Sequence, residues 1–173
     1  MSTGQTMMTI FAFVLLTTTL NSFYRLLAST GSDISSSQDG ILASTIATSY
    51  MEIAQGKAFD ERSDTSDAGI NNVSQFTLPD ALGPEASDGD SIATFNDFDD
   101  FNGQVVEETA GTTGRKYKTS FSVHYVTLTN ISQISAVRTF VKRMDMKTWR
   151  TSPPISKPDT LRLSLVLGYF HFD

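Results

Sequence analysis

The sequence predicts an α+β protein in which a long N-terminal α-helix packs on an antiparallel β-sheet. Three observations carry that expectation. Residues 1–57 contain no proline and place apolar residues at helical spacing. Residues 104–173 alternate apolar and polar side chains with period two. Residues 58–103 are rich in Asp, Ser, Asn and Gly, and keep no sustained period. The chain therefore divides into a helical segment at 1–57, an acidic irregular connection at 58–103 and a β-domain at 104–173.

In the helical segment, the first 24 residues carry no charged side chain, and the run GQTMMTIFAFVLLTTTLNSF is apolar enough to leave water. A secretory signal has a basic start and a small-residue cleavage site; here no Lys or Arg precedes the apolar run. As a plain membrane span, Met7 to Ala28 has the roughly 20 residues a bilayer requires. That window nevertheless includes Arg25 and several threonines. Six threonines in the opening 20 residues can bond back to helical carbonyls, and they suit a helix whose neighbours are other helices. Further on, Leu42, Ile46, Tyr50 and Ile53 follow at steps of four, four and three, which puts them on one face. A helix through the whole segment would be about 80 Å long. Gly31 and Gly40 are weak points where it is expected to unwind locally, and Gly56 offers a stop.

The connection holds most of the acidic residues between Asp60 and Asp100, against a single basic one, Arg62. Its apolar islands (Phe76, Leu78, Leu82, Phe95, Phe98 and Phe101) are expected to pin it to a neighbouring surface around one short helix or strand. Asp88, Asp90, Asp97, Asp99 and Asp100, with Asn96 and Asn102 between them, offer the oxygen-rich set that Ca²⁺ takes, although the order is not that of an EF-hand. The same stretch also reads as a solvated acidic loop in which the phenylalanines alone do the packing.

In the β-domain, Tyr117, Phe121, Val123 and Tyr125 alternate with Lys118, Ser120, Ser122 and His124; Leu161 to Tyr169 alternate likewise. SAVRTFVKRMDMKTW has strand composition and QVVEET makes a short strand. NISQIS reads as a hairpin connection, and SPPISKPD as a proline-rich loop. Three long strands and one short one make an antiparallel meander, whose apolar face needs the amphipathic half of the helix as its cover.

Composition excludes several activities. The net charge is −6, the isoelectric point is near 4.8 and the 13 Lys and Arg residues are scattered, so no nucleic-acid partner is expected. There is no cysteine, which removes disulfides, thiolate ligands and cysteine nucleophiles. His124 and His171 stand far apart, Glu107 and Glu108 point to opposite strand faces, and GTTGRK lacks phosphate-loop spacing, so no enzyme activity is expected. Trp149, Phe170 and Phe172 read either as an exposed contact patch or as filling between sheet and helix.

The layout of GQTMMTIFAFVLLTTTLNSF, its helical continuation through DGILASTIATSYMEIAQGKAFDE, and the acidic FNDFDDFNG ahead of the sheet resembles that of type IV pilins and pseudopilins. The resemblance spans the chain in layout, with its motifs largely in the first sixty residues. It implies a structural subunit of an extracellular, cell-surface filament whose N-terminal helices pack as the core. Met7, Met8, Ile10, Phe11, Phe13, Val14, Leu15, Leu16, Leu20, Phe23 and Leu27 would form that core. The implied partners are further copies of the chain, the inner membrane before assembly and an export and assembly machinery. Only MSTG precedes the apolar run, so Gly4 is the candidate processing position; Gln5 and Thr9 stand where the family has an apolar residue and a glutamate. Two alternatives share the layout: a single-pass envelope protein with a β-rich binding domain, and a minor pseudopilin of a secretion or pilus machine.

Overall fold

The computed structural model describes residues 2–64, 69–86, 88–89, 91–111, 114–153 and 159–170. They form an α+β protein with a long N-terminal helix and an antiparallel sheet. Helix α1 runs from Thr3 to Gln55 without interruption. The chain divides into two compact units at Gly40/Ile41. The expected unwinding between Gly31 and Gly40 does not occur. Each glycine costs only about 1 kcal/mol against alanine, which the flanking helical turns absorb. The helix ends where Gly56 follows Gln55, and the amides of Gly56 and Lys57 cap back to Ile53 and Ala54 at 3.2 Å.

In the first unit, threonine hydroxyls bond back along the helix. Thr9 donates to Gln5 O at 2.8 Å, Thr17 to Phe13 O at 2.8 Å and Thr19 to Leu15 O at 2.7 Å. Their polarity is thus partly satisfied by the helix itself, and they present methyl groups outward.

In the second unit, α1 lays Ala43, Ile46, Ala47, Tyr50 and Ala54 into the core. Only Ile46 and Tyr50 of the expected face are fully buried; Ile41 and Ile53 are exposed and Leu42 packs at the margin. Ala43, Ala47 and Ala54 are buried beside Ile46 and Tyr50 on this face. Tyr50 stands edge-on to Phe121 at 5.2 Å, and its hydroxyl bonds Glu108.

The sheet has five strands: β1 (Val105–Ala110), β2 (Arg115–Thr127), β3 (Asn130–Ile134), β4 (Val141–Ser152) and β5 (Thr160–Gly168). Its order is β1-β2-β4-β5, antiparallel throughout, with β3 pairing the end of β2. The inward face carries Tyr117, Phe121, Val123, Met144, Met146 and Leu165. Two expectations are corrected here. NISQIS is strand β3, because Leu128–Thr129 turns the chain in two residues and the amide of Asn130 bonds Thr127 Oγ1 at 3.3 Å. Conversely, SAVRTF is not strand: Ser135 and Thr139 hydroxyls take the amides of Val137 and Val141, each at 3.2 Å, and bend the chain out of the ladder. Trp149 does not fill the core either; it lies half-buried on the outer face, between inward Thr148 and Arg150.

The connection contains α2 (Glu61–Asp64) and 3₁₀ turns at Val73–Gln75 and Asp99–Phe101. Phe95, Phe98 and Phe101 recur every third residue, near the period of a 3₁₀ turn, so all three enter one core. The turn closes at Asn102–Gly103. Asn102 Nδ2 donates to Leu82 O, its Oδ1 accepts the Val123 amide, both at 2.9 Å, and Gly103 has φ 77°. That left-handed conformation is the reason glycine follows Asn102.

Candidate functional site

Two features stand out, one in each unit. The first is the surface of α1 between Met7 and Leu27. All eleven residues expected there (Met7, Met8, Ile10, Phe11, Phe13, Val14, Leu15, Leu16, Leu20, Phe23 and Leu27) are exposed, by 48% to 77%. Phe13 to Leu16 are consecutive, so apolar side chains face every direction around the helix. A helix apolar all round is stable only within lipid or among other helices. This one is long and apolar enough to cross a membrane. Gly4 lies at the start of α1 in open surroundings.

The second feature is the acidic connection, which is not a solvated loop. Asp60, Asp88, Asp97, Asp99 and Asp100 are all buried. Three phenylalanines dock the FNDFDDFNG turn into the core and carry the intervening carboxylates inward with them. The end of α1 is tied to the same turn: Ala58 N donates to Asn96 O at 3.2 Å and Phe98 N to Ala58 O at 2.9 Å.

These carboxylates separate into two groups. On one side, the Lys142 ammonium donates to Phe59 O at 2.7 Å, to Asp60 Oδ2 at 2.9 Å and to Asp99 Oδ1. It sits over the rings of Phe59, at 4.6 Å, and Tyr125. All three ionic side chains have no exposed surface. Asp60 also accepts the Thr77 amide at 2.9 Å, and Tyr125 donates to Thr77 O at 2.8 Å. Burial pushes the Asp99 carboxyl upward, and the Lys142 charge opposes it.

On the other side lie Glu61, Glu85, Asp88, Asp97 and Asp100. Oxygens of Glu61, Glu85 and Asp97 lie within 4.8 Å of one another, and so do those of Glu85, Asp88 and Asp100. Glu85 belongs to both sets. One oxygen of each aspartate is held by backbone: Asp97 Oδ1 takes the Asp99 amide at 2.8 Å, Asp100 Oδ2 that of Asn96 at 3.0 Å, and Asp88 Oδ2 that of Glu85 at 2.9 Å. The second oxygens, Asp97 Oδ2 and Asp100 Oδ1, are buried without a hydrogen-bond donor, as are Glu85 Oε2 and Asn96 Oδ1. Burial, then the charges of Asp99 and Asp100, push the Asp97 carboxyl up to about 9. Glu85 is pushed up to about 7, first by burial and then by its hydrogen bond with Asp88. Burial likewise raises Asp100.

Of the residues singled out as a calcium set, Asp88, Asp97 and Asp100 come together, Asp99 is drawn off by Lys142, and Asp90 lies outside the described residues. Glu61, Glu85 and Lys142 were not anticipated. Lys142 was legible in principle, since it stands in phase with Met144, Met146 and Thr148 on the inward side of β4. Glu85 had no such signal; only the path of the connection brings it to Asp97.

On the outer face of the sheet, Ser122 Oγ and His124 Nε2 are 2.7 Å apart. Asp145, opposite Ser122 in register, is engaged by Arg143 at 2.8 Å and Ser164 at 2.6 Å instead. None of the described hydrogen bonds joins its carboxylate to the imidazole, so the relay that activates a serine is not assembled. His171 and Phe172 lie outside the described residues, and Phe170 is exposed.

Comparison with protein-family models, with curated proteins and with solved structures finds no match to this chain.

Proposed function

We propose that the protein is the structural subunit of a pilus-like, extracellular helical filament, polymerised through its N-terminal helix. The observation that carries this reading is the unit formed by Met1–Gly40, whose apolar side chains from Met7 to Leu27 face every direction and are exposed among the described residues. Burying them against neighbouring copies would remove several large side chains per subunit from solvent, at roughly 1.5–3 kcal/mol each. The same surface suits a lipid bilayer, which is the environment of the subunit before assembly in this scheme. The β-domain and acidic connection would then form the outer surface, with an export and assembly machinery as further partners. No catalytic role is assigned.

A single-pass membrane anchor carrying a β-rich binding domain is favoured by the same apolar length. The two readings differ in what touches the helix. Because the chain has no cysteine, Leu16→Cys provides one thiol in a clean background. A filament subunit yields intermolecular thiol cross-links in material sheared from the cell surface, together with fibres in electron micrographs. A protein that stays in the membrane fraction after shearing, with Leu16→Cys uncross-linked, is an anchored monomer.

A further inference from the structure

We propose that the carboxylates gathered around Glu85, with Asp88 and Asp100 in one set and Glu61 and Asp97 in the other, hold a calcium ion that fastens the acidic connection to the end of helix α1. The donors are all oxygens, which selects a hard cation over a soft one. Two oxygens bound to one Ca²⁺ can lie no further apart than twice the bond length, about 4.6–5.2 Å. Both three-residue sets meet that limit, with donor atoms within 4.8 Å.

A cluster of carboxylates alone would not carry the assignment, because acidic surfaces are common without metals. Here the oxygens point to a ligand by what they lack. Asp97 and Asp100 have no exposed surface, and the second oxygen of each has no donor. Glu85 Oε2 and Asn96 Oδ1 are orphaned in the same way. A buried carboxylate oxygen left without a partner is costly, and five buried acceptors between Glu85 and Asp100, Asp99 Oδ2 on the Lys142 side among them, call for a positive centre. Lys142 does not provide it, since its ammonium is committed to Asp60, Asp99 and Phe59 O.

The chemistry favours Ca²⁺ over Mg²⁺. Several carboxylates from three separated places in the chain cannot easily meet a small octahedral shell at about 2.0–2.1 Å, whereas Ca²⁺ accepts six to eight oxygens in irregular geometry. Glu61 opens α2, six residues after the end of α1, Glu85 and Asp88 come from mid-connection, and Asp97 and Asp100 from the phenylalanine-docked turn. A shared cation therefore joins segments that are also tied by hydrogen bonds through Ala58, Asn96 and Asn102. The inference does not rest on polymerisation, and its test is made on detergent-solubilised monomer.

The experiment is calcium titration of the full chain after chelation, by calorimetry and by thermal melting. About one Ca²⁺ per chain is expected, with Tm raised by roughly 5–11 °C at a hundredfold excess over Kd, and a weaker response to Mg²⁺. Glu85→Gln should lower the affinity at least about tenfold, since Glu85 serves both sets. Asp80→Asn, at an exposed carboxylate of the same connection, should leave it unchanged. Should Glu85→Gln fail to fold, the wild-type isotherm and the rim variant Glu61→Gln, expected to bind more weakly, decide the matter. Absence of calcium binding by the wild-type chain at millimolar Ca²⁺ overturns the proposal. So does an affinity that neither Glu85→Gln nor Glu61→Gln alters.

Discussion

Taking an ammonium and two carboxylates wholly out of water costs several kcal/mol per ion, so each must be held by partners that replace its hydration. Lys142 meets that requirement through two carboxylates, a carbonyl and two aromatic faces. Lys142→Met would keep the volume and leave Asp60 and Asp99 buried without their cation. It is expected to destabilise the fold by about 3–5 kcal/mol, seen as a Tm lower by roughly 6–20 °C. An unchanged Tm would mean that the carboxylates are neutral in the folded chain. Asp145 behaves in the opposite sense on the outer face. Burial alone would raise it, but Ser164 and Arg143 hold it below its ordinary 3.8. A carboxyl whose folded pKa is depressed contributes stability above its unfolded pKa, and loses it as pH falls through the folded value. Asp145→Asn should therefore lower Tm at neutral pH, and the gap to the wild type should close in melts taken as pH falls below the ordinary carboxyl range.

At the scale of the element, α1 is one continuous helix with two different surroundings along it. Cβ atoms at Gly31 and Gly40 would meet nothing within 4 Å, so alanine there only removes backbone freedom from the unfolded chain. Gly31→Ala should stabilise the helix by up to about 1 kcal/mol, measured as helical ellipticity against temperature. At Ala54, which has no exposed surface, the opposite holds. Ala54→Leu forces extra methylenes between helix and core and should destabilise the fold by about 1–3 kcal/mol, read from the Tm of the full chain in detergent. The same logic explains why the face on the sheet could be placed only in part beforehand. Ile46 and Tyr50 announce themselves by hydrophobicity and spacing. Ala43, Ala47 and Ala54 are buried by the packing around them, which no hydrophobic periodicity encodes.

On the whole-molecule scale, assembly through α1 and folding should be separable, because the exposed apolar run Met7–Leu27 belongs to one compact unit and the core to the other. Leu16→Asp places a charge in the middle of the apolar run, at a cost of about 2.5–3.5 kcal/mol in a bilayer centre. Under the proposed filament assembly, surface filament yield should fall sharply, while the tyrosine and tryptophan signals of the folded sheet stay as in the wild type. A variant that assembles normally would remove this helix from the filament core. The acidic pocket makes a complementary demand, since its ligands come from three places along the connection and any cation held there acts on the folded second unit alone.

Local information was enough for the elements themselves. Helical spacing without proline, strict alternation in β2 and β5, and Gly56 after the last helical turn each follow from the side chains of neighbouring residues. For the same reason the apolar all-round character of Met7–Leu27 was readable directly, because it is a property of composition in one segment. Where two local preferences competed, the outcome needed the folded chain. Hydroxyls at Thr127, Ser135 and Thr139 decided that NISQI pairs and SAVRTF bends. The carboxylates are the clearest case. Composition identified Asp88, Asp97, Asp99 and Asp100 as a group, but burial, partition between Lys142 and Glu85, and the orphaned oxygens depend on how far Phe95, Phe98 and Phe101 draw the turn inward. That depth is set by packing between residues distant in sequence, so tertiary structure alone decides it.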